Sequence, residues 1–408
     1  AGDGWVWHFG DSGMIETVTA LAATLLLLGS SAGTERIVSV NDDASLRRAL
    51  REAHPGTTIR IAPGRYRPGI YASQLKGTRQ YPIVIEGADR DNPPRFEGGN
   101  QAWHLSDCVY VTFRNMAVRG QSANGINIDD GGTYESPTHH IVLENLRVSD
   151  VGPKGNRDGI KLSGVDDFVI RRCRVEGWGG QAVDMVGCHR GLIEECEFAG
   201  KEGFSQTAGP QTKGGSSQIT IRRSWFDGAG SRAVNLGGST GRAYFRPPGA
   251  LYEAKEIVVE GCTFVGSMAP IAYVGVDGAV VRYNTIYHPE AWVLRMLQET
   301  RDPGFAPCRN GRFENNLVVF RRSDLRTHVN IGPGTAPETF RFKNNFWYCE
   351  DRPEASKPQL PVPEQDGVYG RDPRLDAAGS KQLKPQDPVA ARYGASAWRS
   401  DLAPPEFR

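Results

Sequence analysis

An eight-residue pattern, apolar-x-apolar-x-x-small-x-apolar, recurs nine times between residues 111 and 347. The copies are VTFRNMAV (111–118), IVLENLRV (141–148), FVIRRCRV (168–175), GLIEECEF (191–198), ITIRRSWF (219–226), IVVEGCTF (257–264), AVVRYNTI (279–286), GRFENNLV (311–318) and FRFKNNFW (340–347). They start 22 to 38 residues apart. A fixed motif with variable insertions means one structural unit per copy, with loops bulging out between strands. Alternating apolar residues indicate strand rather than helix. A unit this small cannot bury its own apolar face, so the copies must stack. The expected fold is all-β, a single-stranded parallel β-helix of about ten coils.

The sixth position of the motif runs Met116, Leu146, Cys173, Cys196, Ser224, Cys262, Asn284, Asn316 and Asn345. Its small or apolar character predicts an interior stack, with Cys173 and Cys196 close together as free thiols, because neighbouring parallel strands rarely give disulfide geometry. The seven cysteines lack CxxC metal spacing. The chain of 408 residues has a net charge of +1, which argues against a nucleic-acid binder. It still allows a local basic groove for an acidic polymer.

Residues 18–29 (VTALAATLLLLG) are the one long apolar run, too short for stable membrane insertion. With Met14 before it and Ser30-Ser31-Ala32 after it, residues 14–32 fit a secretory signal peptide, so a secreted or periplasmic protein is expected. Three segments follow: an N-terminal extension over 1–33, a capped solenoid over 34–350, and a Pro-rich tail or cap over 351–408. DDASLRRALRE (43–53) has helical spacing behind a capping Asp or Ser, and suits the cap that an open solenoid end needs. A monomer is expected.

Each coil carries a second strand: GINID (125–129), GIKLS (159–163), AVDMV (182–186), QTKGG (211–215), AVNLG (233–237), IAYVG (271–275), VLRML (293–297) and HVNIG (328–332). Apolar neighbours turn the third residue outward. The expected outward ladder is Asn127, Lys161, Asp184, Lys213, Asn235, Tyr273, Arg295 and Asn330, with Gly125, Gly159, Ala182 and Ala233 as a small-residue groove floor. Coils repeat about 4.8 Å apart, so a polymer lying along the axis would meet one rung after another. Lys213 draws attention because Thr212 and Gly214 replace its apolar flanks, and local violations of a pattern mark function.

These segments resemble the pectate-lyase-like right-handed β-helix superfamily. SLRRALREAHPGTTIRIAPGRY (45–66) followed by YPIVIEG is similar to the N-terminal cap of polysaccharide lyases of the alginate lyase and chondroitinase B type. TKGGSSQITIRRSWFDGAGSRAVNLGG (212–238) resembles their stretch holding a catalytic Lys and, one rung later, a catalytic Arg. DGIKLSG (158–164) with AVDMVG (182–187) has the look of family-nine pectate lyases, which set calcium-binding Asp residues beside a Lys base. The resemblance implies Lys213 as the lyase Lys. The run carrying the lyase Arg reads Val234-Asn235-Leu236-Gly237 here, and Arg232 is the nearby arginine.

Elimination across a uronate linkage needs the C5 proton removed, the adjacent carboxylate neutralised, and an acid for the leaving oxygen. Lys213, Arg232 and Lys161 are the candidate catalytic residues. Asp158 and Asp184 are candidate oxygen ligands for Ca²⁺. Asn127, Asn235, Tyr273 and Arg295 on the ladder, with Tyr244 and Arg246 on the insertion STGRAYFRPPGALYEAK (239–255), are candidate contacts to the polymer. The leading expectation is a polysaccharide lyase acting on an acidic glycan. A glycoside hydrolase or uronate epimerase on the same fold, or a non-catalytic carbohydrate-binding solenoid, stays open.

Overall fold

The computed structural model describes residues 35–376 and 383–407; the signal-peptide segment lies outside them. The chain winds into a parallel β-helix walled by three parallel sheets of 12, 10 and 12 strands. Both long sheets thus hold two more strands than the ten coils expected. Among the described residues, no helix is long and apolar enough to cross a membrane.

Each copy of the motif is two strands joined at a corner. In the second copy, Thr138–Glu144 lies in the first sheet and Arg147–Val151 in the third. The corner is the fifth motif residue, which takes a left-handed conformation in every copy from Asn115 (φ 59°) to Asn344 (φ 53°). Asn fills it four times and Gly261 once, the residues that adopt this conformation at least cost. Arg172, Glu195, Arg223 and Tyr283 take it too, at about 1–2 kcal/mol each. Coil-to-coil bonds such as Asn115 N–H to Glu144 O (3.2 Å) continue the ladder around the bend and offset that cost.

The interior is continuous and apolar. The sixth motif residues are all buried, Cys173 and Cys196 among them as free thiols. Burial, and after it contact with Cys173, pushes the Cys196 thiol well above its ordinary pKa. The eighth position stacks aromatic rings, Phe198 on Phe226 on Phe264, with centroids 5.0 and 4.5 Å apart. In the last three coils the sixth position becomes a ladder of buried amides. Asn316 Oδ1 accepts from Asn284 N–H (2.9 Å), and Asn345 Oδ1 accepts from Asn316 N–H (2.9 Å). Glu364 of the tail ends that ladder, accepting from the Asn345 side chain (2.7 Å) and the Trp347 indole (3.0 Å).

Helix Asp43–Arg51 packs on the first coil through Leu46, Ala49 and Leu50. Asp42 caps it, accepting from Ser45 N–H at 2.7 Å. At the other end Val368–Tyr369 extends the third sheet. The tail then returns along the outside, where Ala395 N–H bonds Thr285 Oγ1 (3.0 Å) and the Trp398 ring lies against Gly261.

Candidate active-site groove

The second strands form the ten-stranded sheet, and its outward face carries the polar ladder. The register runs His104–Asn127–Lys161–Asp184–Gln211–Asn235–Ala272–Arg295–Asn330. Two expected positions are corrected by it. Gln211, not Lys213, stands level with Asp184, and Lys213 pairs with Val186 two residues further on. The flanking frame at that rung is therefore Pro210 and Thr212, and Gly214 belongs to the following turn. An offset of two preserves the face, so Lys213 still points outward. Tyr273 is displaced by one residue, which reverses the face. It is fully buried, donates its hydroxyl to Arg312 O (3.1 Å) and leaves Ala272 on the ladder.

The small residues are not a groove floor either. A Cβ on Gly125 or Gly159 would come within 2.5 or 2.7 Å of the next coil's carbonyl oxygen, and Ala182 and Ala233 are buried. They permit close approach of coils at a corner.

Lys161, Asp158, Asp184 and Lys213 converge. Lys161 Nζ lies 2.7 Å from Asp184 Oδ2 and 3.3 Å from Asp158 Oδ2, and Lys213 Nζ lies 3.2 Å from Asp184 Oδ1. Both carboxylates are fully buried, while the two lysines keep 22% and 14% of their side chains exposed. The cluster is thus layered, with ammonium groups toward solvent and carboxylates beneath. Lys213 is less exposed than an isolated surface lysine, because it is drawn onto Asp184. Burial opposes ionisation of Asp184, yet Lys213 and Lys161 outweigh it and hold the carboxyl below its usual range. Asp158 moves the other way, raised by burial and by Asp184. Burial works against the charge of Lys161, but Asp184 and Asp158 prevail and raise its pKa, so it is a standing cation.

A hydrogen-bonded chain runs on from there. Gln211 donates to Asp184 Oδ1 (3.0 Å) and accepts from Asn235 Nδ2 (2.6 Å). Arg232 donates to Asn235 Oδ1 (3.3 Å) and pairs with Glu299 (2.7 Å). Asn235 is therefore buried and spent on its neighbours rather than open to a ligand, a further departure from expectation. Arg295 lies 4.5 Å from the Trp292 ring centroid and donates to Asn330 Oδ1 (2.9 Å). Asn127 remains on the groove face, donating to Asp129 Oδ2 (3.2 Å).

The insertion 239–255 packs on the turn that follows Lys213, where Arg246 N–H bonds Gly214 O (2.9 Å) and Glu253 Oε2 accepts from Gly214 N–H (2.8 Å). Arg246 pairs with buried Asp130 at 2.8 Å, and Arg242 packs against Phe245 and Phe305. Arg246 is thus committed to anchoring the insertion and is not available to a polymer. Tyr244 projects into solvent, 67% exposed.

The Lys161 ammonium sits where Asp158 and Asp184 would have to hold calcium. Among the described residues no group of three or more His, Cys, Asp or Glu side chains stands together for a metal. Two carboxylates filled by an ammonium make an ion-pair cluster, not the six-to-eight-oxygen shell calcium takes.

Sequence reasoning missed His104, Ser106, Asp129 and Gln211. The outward alternation of WHLS (103–106) was the available signal for the first two.

Residues 101–286 match a family model described as a right-handed β-helix region. No curated protein matches the chain. Among solved structures it is similar to a GH136 lacto-N-biosidase from Eubacterium ramulus, at 15% identity over 82% of this chain and 67% of that one, with a TM-score of 0.51. It is also similar to Dettilon tailspike protein (10% identity, 81% and 68% covered, TM-score 0.50). An alginate lyase from Paenibacillus sp. str. FPU-7 matches at 17% identity, 76% and 97% covered, with a TM-score of 0.46. The protein is a right-handed parallel β-helix, and at these identities the likeness is one of fold.

Proposed function

We propose that the protein is a polysaccharide lyase that cleaves an acidic, uronate-containing glycan by β-elimination. The observation that carries this reading is the layered Lys161–Asp184–Lys213 cluster on the groove face. A uronate carboxylate approaching the groove meets ammonium groups first. Lys161, held protonated by two carboxylates, neutralises it and so acidifies the C5 proton. Lys213 has a single carboxylate partner and takes the base role in its neutral form. It removes the C5 proton, the C5–H electrons form the C4=C5 double bond, and the C4–O bond breaks. The proton then returns from Lys213 to the departing oxygen. Arg295 lies further along the ladder, where it suits the carboxylate of a neighbouring unit, while Arg232 beside that ladder is held by Glu299.

Hydrolysis would need two carboxyl groups facing each other across the scissile bond. Asp158 and Asp184 instead lie together beneath the lysines. The proposal places the protein outside the cytoplasm, where such polymers are met.

The test is incubation with a panel of uronate polymers, following the ultraviolet absorbance of the conjugated double bond. Cleavage that gives only saturated ends would identify a hydrolase. Inversion at C5 without cleavage would identify an epimerase.

A further inference from the structure

The groove does not keep one character along its length. Two rungs before Lys161 stands His104, and one rung earlier Tyr71. Tyr71 is 58% exposed, and its ring meets His104 edge-on with centroids 5.1 Å apart. Asp129 sits on the same face and gathers its neighbours. It accepts from His104 Nε2 (2.5 Å), Ser106 Oγ (2.6 Å), Asn127 Nδ2 (3.2 Å) and Gly131 N–H (3.0 Å). Burial opposes its ionisation, but the bonds from His104 and Ser106 hold it below the usual carboxylate range.

That arrangement fixes what each group can offer. His104 turns its Nε2 to Asp129, so Nδ1 is the ring nitrogen left to face a ligand. Asn127 uses one amide N–H on Asp129, which leaves its carbonyl oxygen and the second N–H. The Tyr71 hydroxyl serves as acceptor or donor, and its ring offers an apolar platform. The nearby cation Lys76 is paired with Asp107 at 2.6 Å. This end of the groove is therefore rich in acceptors and carries an ionised carboxylate. It would repel a sugar carboxylate and receive hydroxyl groups.

We infer that Tyr71, His104, Asn127 and Asp129 form a subsite for uncharged pyranose units, one to three rungs from the uronate held at Lys161. The inference rests on the lyase reading for the uronate position and narrows its substrate class. Rungs repeat about 4.8 Å apart, close to the advance of one unit in an extended polysaccharide. A chain with its uronate at Lys161 thus lays its next units over Asn127, His104 and Tyr71. The substrate is then a mixed polymer of uronate and neutral sugar, not a homopolyuronate.

The experiment compares two octasaccharides of equal length, one in which three neutral hexoses follow each uronate and one of uronate alone. Turnover and calorimetric binding are both read, for the wild type and for Tyr71→Ala, whose exposed side chain carries little folding energy. The expected result is at least tenfold tighter binding of the mixed chain. Tyr71→Ala should abolish that preference while leaving affinity for the homopolymer within twofold. Equal or tighter binding of the homo-oligouronate by the wild type would overturn the inference, as would a loss in Tyr71→Ala that is the same for both. Preferential binding of the mixed chain without an unsaturated product would sink the lyase reading and leave the subsite standing. Binding of neither chain would overturn the subsite.

Discussion

Two ladders of polar residues run along this solenoid, and they do opposite things. The interior ladder, Asn284–Asn316–Asn345, points into the core and consumes itself. Each amide oxygen accepts from the sixth motif residue of the preceding coil, Cys262 for Asn284 and an asparagine for the other two, and each amide donates to a backbone carbonyl of that coil, as Asn316 does to Val281 O (3.0 Å). Glu364 closes the end. The groove ladder points outward and is chemically mixed, with ammonium groups raised above buried carboxylates. Both arise from the same rule, a polar residue at a constant repeat position. Identical residues whose bonds close on one another make a structural rung. Differing residues of opposite charge, left with donors facing solvent, make a site.

Substituting Lys213 tests that contrast most strongly. Lys213→Arg keeps a cation for Asp184 but removes a usable base, since arginine stays protonated. Turnover on the glycan should fall about 10²–10⁴-fold, with little change in thermal midpoint. Activity within threefold of wild type would remove Lys213 from the base role. Asn316→Ala should do the reverse. It orphans the Asn284 N–H and the Val281 carbonyl, at about 1–3 kcal/mol each, while kcat of the folded fraction stays near wild type. Urea unfolding measures the first quantity and initial rates the second.

His328 gives a pH-dependent version of the interior rule. Burial, aided by Arg322, lowers its pKa to about 4. Its Nδ1 accepts from Gln359 N–H (3.2 Å), and Nε2 has no partner. The folded state therefore prefers the neutral ring. That stability is fully present above the unfolded-state pKa of 6.5 and is lost as pH falls toward 4. The loss amounts to about 3 kcal/mol at most. In His328→Gln the slope of stability against pH over that window should flatten; an unchanged slope would assign it to other groups.

The smallest expected effect is that of a chelator. If Lys161 neutralises the uronate carboxylate, removing divalent ions should leave activity within twofold. A loss of tenfold or more, restored by calcium, would put the ion at Asp158 and Asp184 in place of Lys161.

Much of the fold was legible from the repeat, since positions three, six and eight of the motif must face inward whatever the loops do. Cys173 beside Cys196, and the aromatic file at Phe198, Phe226 and Phe264, follow from that constraint. The left-handed corner was hidden, because only four of nine copies mark it with Asn.

For the site, residue types and the outward face could be read, and Lys161 with Asp184 fell on adjacent rungs because their coils carry clean apolar frames. Register could not be read where the frame is ambiguous. Pro210 and Thr212 are weak markers of an inward position, so the strand holding Lys213 was displaced by two and kept its face. Tyr273 looked polar, but its ring lies inside with its hydroxyl satisfied by Arg312 O, so a displacement of one turned it over. Sequence alone fixed the solenoid and the list of groups on its surface. Which of them share a charge, and which are spent on one another, depended on side chains reaching across coils 23 to 29 residues apart, as from Lys161 to Asp184 and from Lys213 to Asp184. Distances of that kind are set by the stacked backbone and have no local signature.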